Sequence, residues 1–131
     1  MMDRRIFIKS ILTLPFFAFL QPFKQNPEKT RKILLLDTVV AGISYYEAEK
    51  IWNTLSVGQP LRLLREPENP FDKRAIEVYR GKNKLGYIPR RDNSVISQMM
   101  DRKKNIMADI VWLKQDPDPW KRIGIKVWME V

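Results

Sequence analysis

The stretch Ala75-Ile76-Glu77-Val78-Tyr79-Arg80-Gly81-Lys82-Asn83-Lys84-Leu85-Gly86-Tyr87-Ile88 decides the fold. Two short apolar runs, Ala75 to Arg80 and Leu85 to Ile88, flank a polar segment opened by a glycine. That is the pattern of a β-hairpin, with Gly81 to Lys84 as its loop. Upstream, Pro60 to Glu66 alternates apolar and basic residues (Leu61, Arg62, Leu63), as a half-buried strand does. Pro67-Glu68-Asn69-Pro70 then forces a turn between that strand and the hairpin.

Working outward, Lys32 to Gly42 holds a run of Ile, Leu and Val and reads as a buried first strand. Ser44-Tyr45-Tyr46-Glu47 fits a capping box. It predicts a helix reaching about Leu55, with Ala48, Ile51, Trp52 and Leu55 on one face. Beyond the hairpin, Arg91 to Met100 reads as a second helix with Val95, Ile96, Met99 and Met100 inward. Ile106 to Leu113 and Arg122 to Val131 are the last strands, joined by a loop containing Asp116-Pro117-Asp118-Pro119-Trp120. Six short strands and two helices without a βαβ rhythm predict a mainly β (α+β) domain, a small and partly closed barrel. Trp52, Trp112 and Trp128 lie in apolar patterns and are expected in the core. Trp120, in a loop, is the candidate for an exposed platform.

The beginning of the chain reads differently. Arg4-Arg5, followed by Phe7 and Lys9 and then an apolar run from Ile11 to Leu20, resembles a secretory signal of twin-arginine type. The run is about half the ~20 residues that span a bilayer. Residues 1–22 are therefore expected to be a signal-like leader, 23–31 a linker and 32–131 the domain. Export to the periplasm or cell envelope is the expectation. An uncleaved peripheral anchor and an N-terminal helix packed on a cytoplasmic domain are the other readings.

The 131 residues carry 24 Lys and Arg against 15 Asp and Glu, a formal charge of +9. Without residues 1–22 there are 21 basic and 14 acidic residues, so the domain itself keeps +7. Such a balance points to an anionic partner, although lysine-rich surfaces also serve solubility. Cysteine and histidine are absent. Their absence excludes disulfides, Cys/His zinc sites, a cysteine nucleophile and a Ser-His-Asp triad. The five glycines form no phosphate-binding loop. Asp116 and Asp118, flanked by prolines, read as a rigid turn. Nothing supports an enzyme, a cofactor or a metal.

Three stretches set aromatic rings beside polar or basic groups at the ends of elements. They are Gly42-Ile43-Ser44-Tyr45-Tyr46, Asn69-Pro70-Phe71-Asp72-Lys73-Arg74-Ala75-Ile76, and Leu85-Gly86-Tyr87-Ile88-Pro89-Arg90-Arg91. Rings that stack on bases beside cations that hold phosphates suit single-stranded nucleic acid. In order, these segments resemble the HIRAN domain, from about Leu35 to Met129. The resemblance implies an OB-like β-barrel that captures single-stranded DNA at its 3′ end. It implies that a tyrosine of the Tyr45-Tyr46 pair and Phe71 sandwich the terminal base, while Asp72 accepts from the 3′-hydroxyl. A carboxylate there repels a phosphate, so a 3′-phosphorylated end is expected to be refused. The sequence departs from the family at Ser44, where a basic residue is frequent, and at Pro89, where the DNA-binding eukaryotic member has lysine. Arg90 and Arg91 remain as the nearby phosphate contacts.

The expected interface is thus Tyr45, Tyr46, Asn69, Phe71, Asp72, Lys73, Tyr87, Arg90 and Arg91, in a monomer whose partner is single-stranded DNA and whose contact with membrane is confined to the leader. A protein-interaction or envelope module on the same barrel is the alternative. Plainer roles compete at each position. A tyrosine of the pair can pack the first helix, Asn69 and Asp72 can be turn residues, and Arg62, Arg65, Lys73 and Arg74 can form a solvated face.

Overall fold

A computed structural model describes residues 31–131. The expected leader and most of the linker lie outside the described residues. The strands are β1 (Lys32–Val39), β2 (Pro60–Arg65), β3 (Ile76–Arg80), β4 (Asn83–Tyr87), β5 (Ile106–Leu113) and β6 (Ile123–Glu130). Two short α-helices, α1 (Ala48–Ile51) and α2 (Asn93–Asp101), complete the fold with four single-turn 3₁₀ segments. The six strands form one antiparallel sheet in the order β1-β6-β5-β2-β3-β4.

The hairpin is tighter than its sequence suggests. Arg80 pairs with Asn83, leaving Gly81-Lys82 as the turn, and Gly81 takes φ 62 as such a turn requires. Irregular register occurs in β1 between Leu34 and Leu36, in β4 between Lys84 and Gly86 opposite Tyr79 and Val78, and in β5 between Ile110 and Trp112. Each irregularity adds local twist and curls the sheet. The curl brings the two edges together at one point, where Ala41 and Tyr87 exchange both backbone hydrogen bonds at 2.8 and 2.9 Å. The ladder does not otherwise close, so the partly closed barrel is an open, curled sheet pinned at a single bridge.

Gly86 makes this bridge possible. A Cβ there would lie 2.1 Å from the Ala41 carbonyl oxygen. Inside the curl sit Val40, Ile43, Ile76, Val78, Leu85, Ile110, Ile123, Ile125 and Val127, all fully buried. α2 caps them with Ile96.

Four expectations are corrected. β1 is an edge strand rather than a buried one, and Ile33 and Leu34 are exposed. The helix expected from Ser44 to Leu55 is three fragments, Ile43–Tyr45, α1 and Trp52–Thr54. Ser44 lies inside the first 3₁₀ turn, Tyr46 is extended, and no side chain caps either segment, so the capping box does not form. Val95 is 62% exposed, because α2 turns Asn93, Ile96 and Ser97 inward instead. Trp52 packs against the core as expected, partly buried, but Trp112 and Trp128 lie outside it. Trp112 lies flat across Gly124, whose missing side chain leaves the indole its place.

Candidate nucleic-acid interface

The loop from Glu66 to Ala75 is organised by its own polar side chains. Asn69 Oδ1 accepts from the backbone N–H of Phe71 at 2.8 Å and of Asp72 at 3.0 Å. This Asx turn reverses the chain after Arg65 and projects the Phe71 ring into solvent, 83% exposed. Behind it, Glu66 accepts from Asn69 Nδ2 at 2.9 Å and from the Tyr87 hydroxyl. Lys84 donates to the same hydroxyl at 2.8 Å and pairs with Glu77 at 2.9 Å. The hairpin strands therefore hold the loop through a continuous chain of charge-assisted hydrogen bonds.

Asp72 is fixed from three sides. Its Oδ1 accepts from the Arg74 N–H at 2.9 Å, its Oδ2 from Asn93 Nδ2 at 2.8 Å, and Arg90 Nε lies 3.7 Å from Oδ2. Burial favours the neutral acid. The Arg74 N–H, the Asn93 amide and the cations of Arg90 and Arg74 outweigh it and hold the carboxyl below the usual range. Asp72 is thus an anion at neutral pH, with lone pairs left for another donor. Arg90 also donates to the Phe71 carbonyl, which ties the cation to the turn.

Tyr46 meets Tyr87 edge to face, ring centroids 5.8 Å apart at 64°. Lys84 Nζ sits 4.3 Å from the centre of each of these rings. Burial, together with the hydroxyl's donation to Glu66, raises the Tyr87 phenol to about 12, so it stays protonated. Trp120, 46% exposed, is the third aromatic of the site. Its turn is built from Asp118, which accepts from the Trp120 N–H, and Asp116, which accepts from the Asp118 N–H. The acidic pair thus has the expected turn role, and no metal-holding cluster occurs among the described residues.

One groove of about 450 Å³ gathers the three aromatics Tyr46, Tyr87 and Trp120 and the tip of the loop, with Ala41, Pro70, Ala75 and Ile88 as its apolar lining. Six expected residues converge on it: Tyr46, Asn69, Phe71, Asp72, Tyr87 and Arg90. Tyr45, Lys73 and Arg91 do not line it. Tyr45 is 83% exposed, Lys73 is exposed beside the loop, and Arg91 lies over the Trp120 ring at 5.7 Å. Sequence reasoning missed Glu66, Lys84 and Asn93. Asn93 had a faint signal, standing three places before the buried Ile96.

The profile of the HIRAN domain matches residues 33–131, essentially all of the described structure. The chain belongs to the HIRAN domain family. The Fanconi-associated nuclease 1 homolog of Oryza sativa subsp. japonica is 34% identical over 73 residues, covering 53% of this chain and 7% of that protein. The chain thus spans only a small part of that relative. A protein of Lactobacillus plantarum of known crystal structure is 28% identical, with a TM-score of 0.68 over 77% of this chain and 97% of its own. The HIRAN domain of human HLTF shares the fold, at 21% identity and a TM-score of 0.60 over 76% of this chain and 78% of its own. HIRAN domains are generally DNA-binding modules and not catalytic ones.

Proposed function

We propose that this HIRAN domain holds single-stranded DNA by a free 3′ end and catalyses no reaction. The observation that carries the reading is the pairing of an ionised Asp72 with the exposed Phe71 ring in one groove beside Arg90. A terminal base stacks on Phe71 and is bounded by Tyr46 and Trp120. Stacking of this kind is worth ~1–3 kcal/mol per base and tolerates any sequence. The terminal hydroxyl donates to Asp72, while Arg90 meets the preceding phosphate. A terminal phosphate brings two negative groups together and is refused.

Fluorescence anisotropy with a short labelled strand tests this reading. A 3′-hydroxyl strand binds more tightly than its 3′-phosphorylated form or a blunt duplex. Equal binding of all three removes end capture. We also propose, from residues 1–22 alone, that the chain is exported, which would make DNA outside the cytoplasm its ligand. Fractionation of cells expressing the full chain tests this, and recovery in the cytoplasm alone ends it.

A further inference from the structure

A second cationic surface begins where the groove ends. Arg65, largely buried, donates to the Ala75 carbonyl at 2.8 Å and the Lys73 carbonyl at 3.0 Å. The same guanidinium grips the Asp101 carboxylate at 3.0 and 3.3 Å. This clamp sets the loop that bears Phe71 and Asp72 against the C-terminal end of α2. Lys73 and Arg74 on one side and Arg102, Lys103 and Lys104 on the other are all exposed. None of these five forms an ion pair among the described residues. Of the acids beside them, Asp101 is already taken by Arg65, Asp72 accepts from Asn93 and the Arg74 N–H, and Glu130 accepts from Asn105.

Lys103 carries a second, independent observation. Lys104 N–H returns to the Met99 carbonyl at 3.0 Å and Lys103 N–H to the Met100 carbonyl at 2.9 Å. These bonds form the helix-ending turn whose pivotal residue is usually glycine. Here the pivot is Lys103 at φ 63, among the described residues the sole non-glycine with positive φ. A side chain in that conformation costs stability that glycine would not. A favourable interaction of cations with the helix end is a partial explanation, but Arg102 and Lys104 already supply it without strain. A lysine held where glycine is the stable choice points to a use for its charge.

We infer that Lys73, Arg74, Arg102, Lys103 and Lys104 form a phosphate-binding surface that holds the backbone of a nucleic acid beyond the end seated in the groove. The inference rests on the end-capture reading for where the strand enters. Asp101 to Asn105 offers no apolar or aromatic side chain to insert into a bilayer, and the exposed Phe71 ring of the facing loop lines the groove, so the surface suits a polyanion better than a lipid headgroup layer.

The test uses the full chain, Lys103→Gly alone, and Arg102→Gln/Lys103→Gly/Lys104→Gln. Each is titrated with strands of about four and about sixteen nucleotides, with 3′-hydroxyl or 3′-phosphate ends. The triple variant is expected to bind the long strand roughly tenfold more weakly and to flatten its salt dependence by about two units, while binding the short strand as before. Lys103→Gly is expected to melt a few degrees higher yet hold the long strand less well. An unchanged salt slope in both variants overturns the inference, and so does equal loss on short and long strands. Weaker binding to phosphatidylglycerol vesicles with the long strand unaffected transfers the surface to lipid and also overturns it. If the parent chain ignores the chemistry of the 3′ end while the triple variant still flattens the slope, end capture fails and the backbone surface stands.

Discussion

Asn93, buried in the first turn of α2, donates its side-chain amide to Asp72 Oδ2 at 2.8 Å. The contact links the helix to the tip of a loop 21 residues earlier and leaves the carboxylate no freedom to turn away. Asn93→Ala removes a buried donor and is expected to cost about 1–3 kcal/mol of stability. It should also raise the Asp72 pKa and weaken discrimination against 3′-phosphate ends. Urea unfolding reads the first effect, an NMR titration of the carboxyl the second, and paired anisotropy titrations the third.

The carboxylates set the acid limb of stability. Asp72 and Glu66 both lie below their ordinary values of 3.8 and 4.5. For Glu66, the Tyr87 hydroxyl and the Asn69 amide lower it, against burial, with Lys84 assisting. Groups lowered in the folded state contribute stability above their ordinary values and lose it as pH falls through the folded ones. Tyr87, raised by burial from 10.0 to about 12, acts at the other end, its contribution lost as pH rises through that interval. Melting temperature against pH should therefore be flat near neutrality and fall at both extremes. Glu66→Gln should shrink both slopes.

The exposed aromatics separate binding from folding. Phe71→Ala should leave the melting temperature unchanged, because the ring is 83% exposed, and cost about 1–3 kcal/mol in binding a single strand. Tyr46→Ala should cost both, since its ring packs against Tyr87 and under Lys84. Tyr45→Ala should spare stability. A loss of affinity there would show that this free ring closes over the base, and calorimetry beside anisotropy reads both quantities.

Gly86→Ala should be more damaging than its size suggests. The new methyl would meet the Ala41 oxygen at 2.1 Å and the Val40 side chain at 2.8 Å. Overpacking of this kind costs about 1–3 kcal/mol. Because Ala41 and Tyr87 both line the groove, binding should fail together with stability. Thermal melts and titrations of the same variant check the pair.

The strands were legible where alternation and turn chemistry agree. Pro60 to Glu66 shows the period of a half-buried strand and the hairpin around Gly81 its turn, and their bounds moved by only a residue or two. The first helix was misread because Ala48, Ile51, Trp52 and Leu55 keep helical spacing even though the backbone breaks at Tyr46 and again at Trp52. Periodicity reports which face is apolar, not whether the chain winds without interruption. β1 was misplaced because an apolar run does not distinguish a central strand from an edge. In the site, Asn69, Phe71 and Asp72 were readable from turn preference and aromatic placement. Glu66, Lys84 and Asn93 were not, since beside their local contacts the bonds that tie them into the site run to Tyr87, Glu77 and Asp72, 21, 7 and 21 residues away, and no local pattern announces such pairs.

The bridge between Ala41 and Tyr87 is also a gauge. Two amide protons at this seam are protected only while the sheet edges stay joined, and both residues border the space a ligand would occupy. A molecule that fills the groove and binds only while the edges are joined should slow their exchange with deuterium, whatever its chemistry. Those two signals would therefore report that the groove is occupied, and could be used to screen for a natural ligand before its identity is known.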